Sequence, residues 1–137
     1  MRRAAVARTA RLALQAYNRR DLEAVAGLCD PEFEYRPGRE WVEAGLVEPR
    51  YRGLSGYRAY VTSVDQVWAG ENRLRPREVI DLGDRLLLLA DGEMRGQASG
   101  VTLSQEFALL CTLKAGRPIT AQEYYDHAEA LRAVGLS

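Results

Sequence analysis

Hydrophobic and polar positions change their spacing twice along this chain, and the changes divide it into three stretches. From Ala4 to Asn18 the apolar positions Val6, Ala10, Ala13, Leu14 and Tyr17 recur at helical spacing, with Arg8, Arg11 and Gln15 on other faces. Asn-Arg-Arg-Asp at 18–21 ends that helix, and Asp21 is a natural N-cap for a second helix over Leu22–Leu28. Asp30-Pro31 stops it, because proline disfavours the α conformation in the residue before it. Glu32 to Arg36 alternates polar and apolar with period two, which predicts a half-buried strand.

Pro37 to Leu54 follows neither period and carries Pro37, Gly38, Gly45, Pro49 and Gly53 with Trp41 and Tyr51. An irregular segment of this length in a compact domain suggests a lid or binding loop. Ser55 caps a third predicted helix, with Tyr57, Val61, Val64 and Trp68 on one face, Tyr60 and Val67 beside it, and Ala69-Gly70 at its end. Glu78 to Asp126 then reads as three or four consecutive strands, the first starting near Leu74. Asp84–Ala90 and Val101–Leu113 are long apolar runs, with turns expected at Asp91-Gly92, Ser99-Gly100 and Ala115-Gly116. Pro76 argues that the first of these strands is an edge or begins only after it. Asp126-His-Ala-Glu129 opens a last helix, Ala128–Val134, closed by Gly135. Helices first and a mostly antiparallel sheet later make an α+β pattern: a curved sheet wrapped with N-terminal helices into a cone with an inner cavity.

At 137 residues the chain (1–137) reads as one domain, long enough to bury about two-thirds of its unfolded surface. Nineteen basic and nineteen acidic side chains cancel, so no net field favours nucleic acid or an anionic membrane. The basic N-terminal face (Arg at 2, 3, 8, 11, 19 and 20) lacks interleaved aromatics and reads as a solvated surface. No apolar stretch reaches the ~18 residues that span a bilayer, and the Arg-rich start lacks the apolar core of a targeting peptide. Cys29, Cys111 and the single His127 exclude most zinc ligand sets; no metal or cofactor is expected. Two reduced thiols used as small hydrophobes fit a cytoplasmic protein.

Several segments together resemble the SnoaL-like branch of the nuclear transport factor 2-like superfamily. They are Tyr-Asn-Arg-Arg-Asp-Leu-Glu-Ala-Val at 17–25, Phe-Glu-Tyr-Arg-Pro at 33–37, Tyr-Arg-Gly-Leu-Ser-Gly-Tyr at 51–57, Asp-Leu-Gly-Asp-Arg at 81–85, Ser-Gly-Val at 99–101 and Glu-Ala-Leu-Arg-Ala-Val-Gly-Leu at 129–136. The resemblance implies a cone-shaped α+β barrel, often a homodimer through the outer sheet face. It spans cyclases, ketosteroid isomerases, epoxide hydrolases and non-catalytic binders, so it leaves activity open. The positions corresponding to the ketosteroid isomerase tyrosine, base and donor acid are Ala13, Pro37 and Ala108, which argues against that mechanism. An Asp-Arg-Asp set as in the epoxide hydrolases has only Arg95, Asp81 and Asp84 to draw on.

For a SnoaL-type cyclase one acid/base residue suffices, and Glu106 is the candidate. If Ala108 faces the cavity, so do Glu106, Leu110 and Thr112, and burial would raise the carboxyl's pKa toward neutrality. The alternative is a shifted register, or a carboxylate that pairs with an arginine in water. Tyr17, Tyr35, Trp41, Tyr60 and Tyr125 are the aromatic set expected around the mouth, with Leu110 and Glu123 as further ligand contacts. Glu123 shares a face with Ala121 and Tyr125 and is a candidate to pair with Glu106. His127 reads as a surface histidine in a first helical turn, with a proton shuttle as the other reading. The expected function is binding of a small hydrophobic or aromatic molecule, the alternative a cofactor-free cyclase or isomerase built on Glu106.

Overall fold

The computed structural model describes residues 2–68, 72–95 and 100–136. Helices α1 (Arg2–Asn18) and α2 (Leu22–Gly27) come first, then β1 (Glu34–Arg36), α3 (Arg39–Glu43), β2 (Tyr51–Arg52) and α4 (Gly53–Trp68). Strands β3 (Arg73–Asp81), β4 (Arg85–Arg95), β5 (Thr102–Lys114) and β6 (Arg117–Tyr124) follow, and α5 (His127–Ala133) ends the chain. The strands form one open sheet in the order β2-β1-β6-β5-β4-β3, antiparallel except for the β1–β6 pair. The α+β class and the curved sheet with N-terminal helices are as the sequence predicts, although the sheet does not close into a barrel.

Local chemistry accounts for most boundaries. Asp21 accepts from the Ala24 N–H at 3.2 Å and caps α2, while Asp126 accepts from the N–H groups of Ala128 and Glu129 and caps α5. Ala115 and Gly116 both have positive φ (51° and 77°), as a two-residue hairpin between β5 and β6 requires. Pro76 lies on the edge strand β3, and the register slips beside it between Pro76 and Glu78.

Two expectations change. Asp91-Gly92 is not a turn: it lies within β4, opposite Glu106 and Gln105 of β5 and Arg75 and Leu74 of β3. Pairing on both sides holds the strand straight through this dipeptide, and the chain has already turned at Gly83, whose φ is 89°. The segment 37–54 is only partly irregular, since it contains α3 and β2. Ala69-Gly70 and Ser99 lie outside the described residues.

Alternation along the strands sorts the sheet into two faces. Leu86, Leu88, Phe107, Leu109, Cys111, Ala121 and Glu123 face α1, α2 and α4. Leu87, Leu89 and Ala108 face the other way and pack with Ala130 of α5. Leu87 and Val64 are the largest fully buried side chains, each contributing about 1.5–3 kcal/mol of apolar burial. No described helix is long and apolar enough to cross a membrane.

Candidate functional site

Between the inner face of the sheet and α1, α2 and α4 lies a cavity of about 250 Å³. Leu14, Val25, Leu86, Leu88, Leu109 and Met94 are among its apolar walls. Its most polar element is Glu123, which projects inward from β6 and is 2% exposed. The sequence places every partner of this carboxylate on a different element. Tyr35 stands on β1 opposite Ala121 of β6, so its ring lies beside the residue two further along that strand. Tyr60 comes from the buried face of α4, one turn after Tyr57. Tyr125 follows the end of β6.

Tyr35 and Tyr60 donate their hydroxyls to Glu123 Oε2, the latter at 2.5 Å. Tyr125 donates to Oε1 at 2.5 Å, and the Gly38 backbone N–H reaches the same oxygen at 3.2 Å. Four donors match the four lone-pair sites of an ionised carboxylate. Burial nevertheless pushes the Glu123 pKa up, opposed by the three tyrosine hydroxyls and Gly38. Tyr35, Tyr60 and Tyr125 are raised in turn, first by burial and then by the charge on Glu123. The cluster therefore gathers three O–H donors and one backbone N–H on a single buried carboxylate. With Glu123 ionised every hydroxyl points at it, whereas with Glu123 protonated a hydroxyl is released to donate elsewhere.

Aromatic packing fixes the geometry. The Tyr35 and Tyr60 rings lie 4.9 Å apart, and Tyr51 packs on Tyr60 at 5.3 Å. Trp41, carried by α3, lies over Tyr125 at 5.4 Å. Tyr17, which also lines the cavity, accepts a hydrogen bond from Asn72 Nδ2 at 2.9 Å, with the Arg20 guanidinium 4.4 Å from its ring centre. Cys29 and Cys111 also border the cavity; burial pushes their pKa values up to about 11 and about 12, so both are thiols at neutral pH.

Six of the predicted contact residues, Tyr17, Tyr35, Trp41, Tyr60, Glu123 and Tyr125, line this one cavity. Leu110 does not. It packs against the cluster of Leu87, Ala108 and Ala130 on the opposite face. Glu106 shares that parity and borders the cavity only at its rim, with its side chain 49% exposed. Its carboxylate accepts from the His127 N–H at 2.9 Å and lies 3.6 Å from His127 Nδ1. The expected Glu106–Glu123 pair is absent, because the two side chains leave the sheet on opposite sides. His127 is less exposed than a surface histidine, and its Nε2 contacts the Ala90 and Phe107 carbonyls at 2.8 and 3.1 Å.

Arg95 and the pair Asp81 and Asp84 lie near opposite ends of β4, roughly 30 Å apart at about 3.3 Å per residue, and form no Asp-Arg-Asp set. Among the described residues no group of three or more His, Cys, Asp and Glu side chains is placed to hold a metal. Sequence reasoning missed Gly38 and Asn72. The Pro-Gly step at 37–38 was the one available signal for the first, and the second had none.

The fold recurs in solved structures. A nuclear transport factor 2-like protein of unknown function from Burkholderia pseudomallei is 25% identical, with a TM-score of 0.78 over 95% of this chain and 97% of that one. TerC, co-crystallized with polyporic acid, is 22% identical with a TM-score of 0.77, covering 93% and 95% of the two chains. A SnoaL-like protein of unknown function from Burkholderia thailandensis is 18% identical with a TM-score of 0.66, covering 90% and 96%. No functionally curated protein matches the chain. Residues 10–129 match the SnoaL-like domain, and with a cavity and sheet of this form the chain belongs to that family.

Proposed function

We propose that the protein binds a small, mostly apolar molecule with an aromatic ring in the cavity between the helices and the sheet. The observation that carries this reading is an apolar cavity ending in a buried carboxylate that three tyrosine hydroxyls hold in place. Ligand sites commonly combine apolar walls with a few convergent polar groups. At about 250 Å³ the space falls just under the ~300–1,000 Å³ of drug-sized pockets, which favours one or two fused rings over a larger polycycle. TerC, similar in fold, was co-crystallized with polyporic acid, which supports the reading that a chain of this fold binds a ligand.

Native mass spectrometry of freshly purified protein, compared with the denatured mass, tests it. A small-molecule adduct that leaves on denaturation is the expected result. Absence of an adduct, together with no quenching of tryptophan emission by one- and two-ring aromatic probes, would overturn the reading. Trp41 is part of the cavity wall, so an occupant there is expected to alter that emission. The same spectrum reads the oligomeric state. A homodimer through the outer face belongs to the proposal, supported by the strip around Leu110, Thr112 and Tyr124 that is not fully buried. A cytoplasmic location is likewise proposed, supported by two free thiols.

A second reading, cofactor-free acid/base chemistry of the cyclase or isomerase kind, is favoured by one observation: a buried carboxylate in the cavity wall, 2% exposed and held by three tyrosine hydroxyls, where burial pushes its pKa up. A carboxyl shifted toward neutrality can both take and return a proton, here through a tyrosine hydroxyl that touches the cavity. Glu123 replaces Glu106 as the acid/base group in this reading. Glu123→Gln is expected to abolish turnover while leaving a bound molecule in place; turnover that survives the substitution would end it.

A further inference from the structure

Two polar groups that line the cavity carry opposite hydrogen-bonding character. In the Glu123 group, Tyr35, Tyr60 and Tyr125 all direct their protons to the carboxylate, so what they offer the cavity while Glu123 is ionised is acceptor oxygens. Tyr17 is in the reverse situation. Its oxygen already accepts from Asn72, and its own O–H proton meets no acceptor among the described residues. Tyr17 is 7% exposed and lines the cavity, so an unmatched donor is buried where a ligand would sit.

The surroundings hold this donor still. Arg20 grips Asp65 through two parallel bonds of 2.9 and 2.8 Å, and its guanidinium also donates to the Asn72 carbonyl at 2.9 Å. The same guanidinium lies against the Tyr17 ring. Asn72 is therefore anchored through its backbone while its side chain fixes the Tyr17 oxygen. Asn18, next to Tyr17 in α1, exchanges two hydrogen bonds with the Leu74 backbone, which ties the end of α1 to β3. A phenol positioned in this way recognises an acceptor of fixed location, which makes Tyr17 a specificity-determining residue.

We infer that the cavity selects an aryl ketone bearing a hydroxyl group. The carbonyl oxygen accepts from Tyr17, and the hydroxyl donates into the tyrosine cluster around Glu123. This rests on the reading that the cavity binds a small aromatic molecule, and it adds the chemistry by which the occupant is chosen.

Three two-ring probes of nearly equal shape separate the terms: tetralin, which has neither group, tetralone with a ketone, and hydroxytetralone with the ketone and the phenolic hydroxyl on opposite rings. Isothermal titration of the whole chain is expected to rank them hydroxytetralone, tetralone, tetralin, with about fivefold between successive members for one net hydrogen bond each. Tyr17→Phe keeps the ring and removes the donor. It is expected to abolish the tetralone-over-tetralin preference. Equal binding of tetralone and tetralin by the unsubstituted chain overturns the inference alone. So does a Tyr17→Phe chain that keeps the preference. If none of the three binds, the cavity reading fails and this inference with it. Should Tyr17→Phe not fold, the infrared carbonyl stretch of tetralone bound to the unsubstituted chain decides. A shift to lower frequency than in an apolar solvent supports a hydrogen bond from the protein, and an unshifted band overturns it.

Discussion

The Tyr125 ring fills the space that a side chain on Gly38 would need: a Cβ at residue 38 would lie 2.2 Å from Cε2 of that ring. The Gly38 N–H meanwhile reaches the Tyr125 oxygen at 3.1 Å and Glu123 Oε1 at 3.2 Å. With φ at −59° this glycine is required for room and not for its backbone conformation. Trp41 packs against the same ring, with the two ring centroids 5.4 Å apart. Gly38→Ala is therefore expected to push the Tyr125 hydroxyl off Glu123. Loss of a bond to a charged group costs roughly 1.5–3 kcal/mol, to be read from urea unfolding together with altered tryptophan emission. An unchanged midpoint and an unchanged spectrum would show that the ring moves aside freely.

Tyr60→Phe tests the carboxylate's dependence on its donors. It deletes one of four hydrogen bonds and leaves the ring contacts with Tyr35 and Tyr51 available. Phenylalanine fills the same space, so the packing loss is small and the penalty is that of an under-satisfied buried carboxylate, about 1.5–3 kcal/mol near neutral pH. The Glu123 pKa is expected to rise further, measured by carbon-13 shifts of labelled glutamate side chains. A pKa equal to that of the unsubstituted chain would mean that Tyr60 does not donate to it.

Much of this arrangement was legible in the sequence because it rests on local periodicity. The helical spacing through Tyr17, the face of α4 that includes Tyr57 and Val64, and the period-two strand around Tyr35 all sit where the pattern puts them. Parity also placed Glu123 with Ala121 and Tyr125. Parity failed on β5, where the correspondence at Ala108, if taken to face the cavity, turned Glu106 and Leu110 inward with it. One residue of error in such a correspondence moves every side chain of a strand to the other face. The Gly38–Glu123 contact joins residues 85 apart, and the Tyr17–Asn72 contact residues 55 apart. Neither follows a local period, because tertiary packing alone brings the partners together.

Glu123 makes stability depend on pH in a direction opposite to that of a salt-bridged carboxylate. Its folded-state pKa is raised above the unfolded value of 4.5, chiefly by burial. Between those two values the folded chain holds a proton that the unfolded chain has lost, so the unfolding free energy falls as pH rises. Below 4.5 both states are protonated and the stabilising contribution is fully present; above the folded pKa it is gone. The difference in unfolding free energy between the parent chain and Glu123→Gln, followed from acid to neutral pH, should therefore decline for the parent through this window and then level off. A difference that grows with pH would show that the hydrogen bonds outweigh burial and hold the carboxyl below its ordinary value.

Glu106 offers the complementary test, since it was the acid the sequence suggested. Half exposed, it accepts from the His127 N–H and sits near the imidazole, at the start of a helix that Asp126 already caps. Glutamine keeps an acceptor oxygen for that N–H and loses only the approach of a half-exposed carboxylate oxygen to the imidazole, which contributes about 0–1 kcal/mol. Glu106→Gln is thus expected to shift stability by less than about 1 kcal/mol. It should leave probe binding, and any turnover, at the parent level. Glu106→Ala removes the acceptor as well and is expected to loosen α5, seen as faster amide exchange at His127 without a change in binding. The two glutamates are then told apart by one comparison. Loss of turnover with binding retained in Glu123→Gln, and not in Glu106→Gln, assigns the acid to the inner face; the opposite result returns it to the rim.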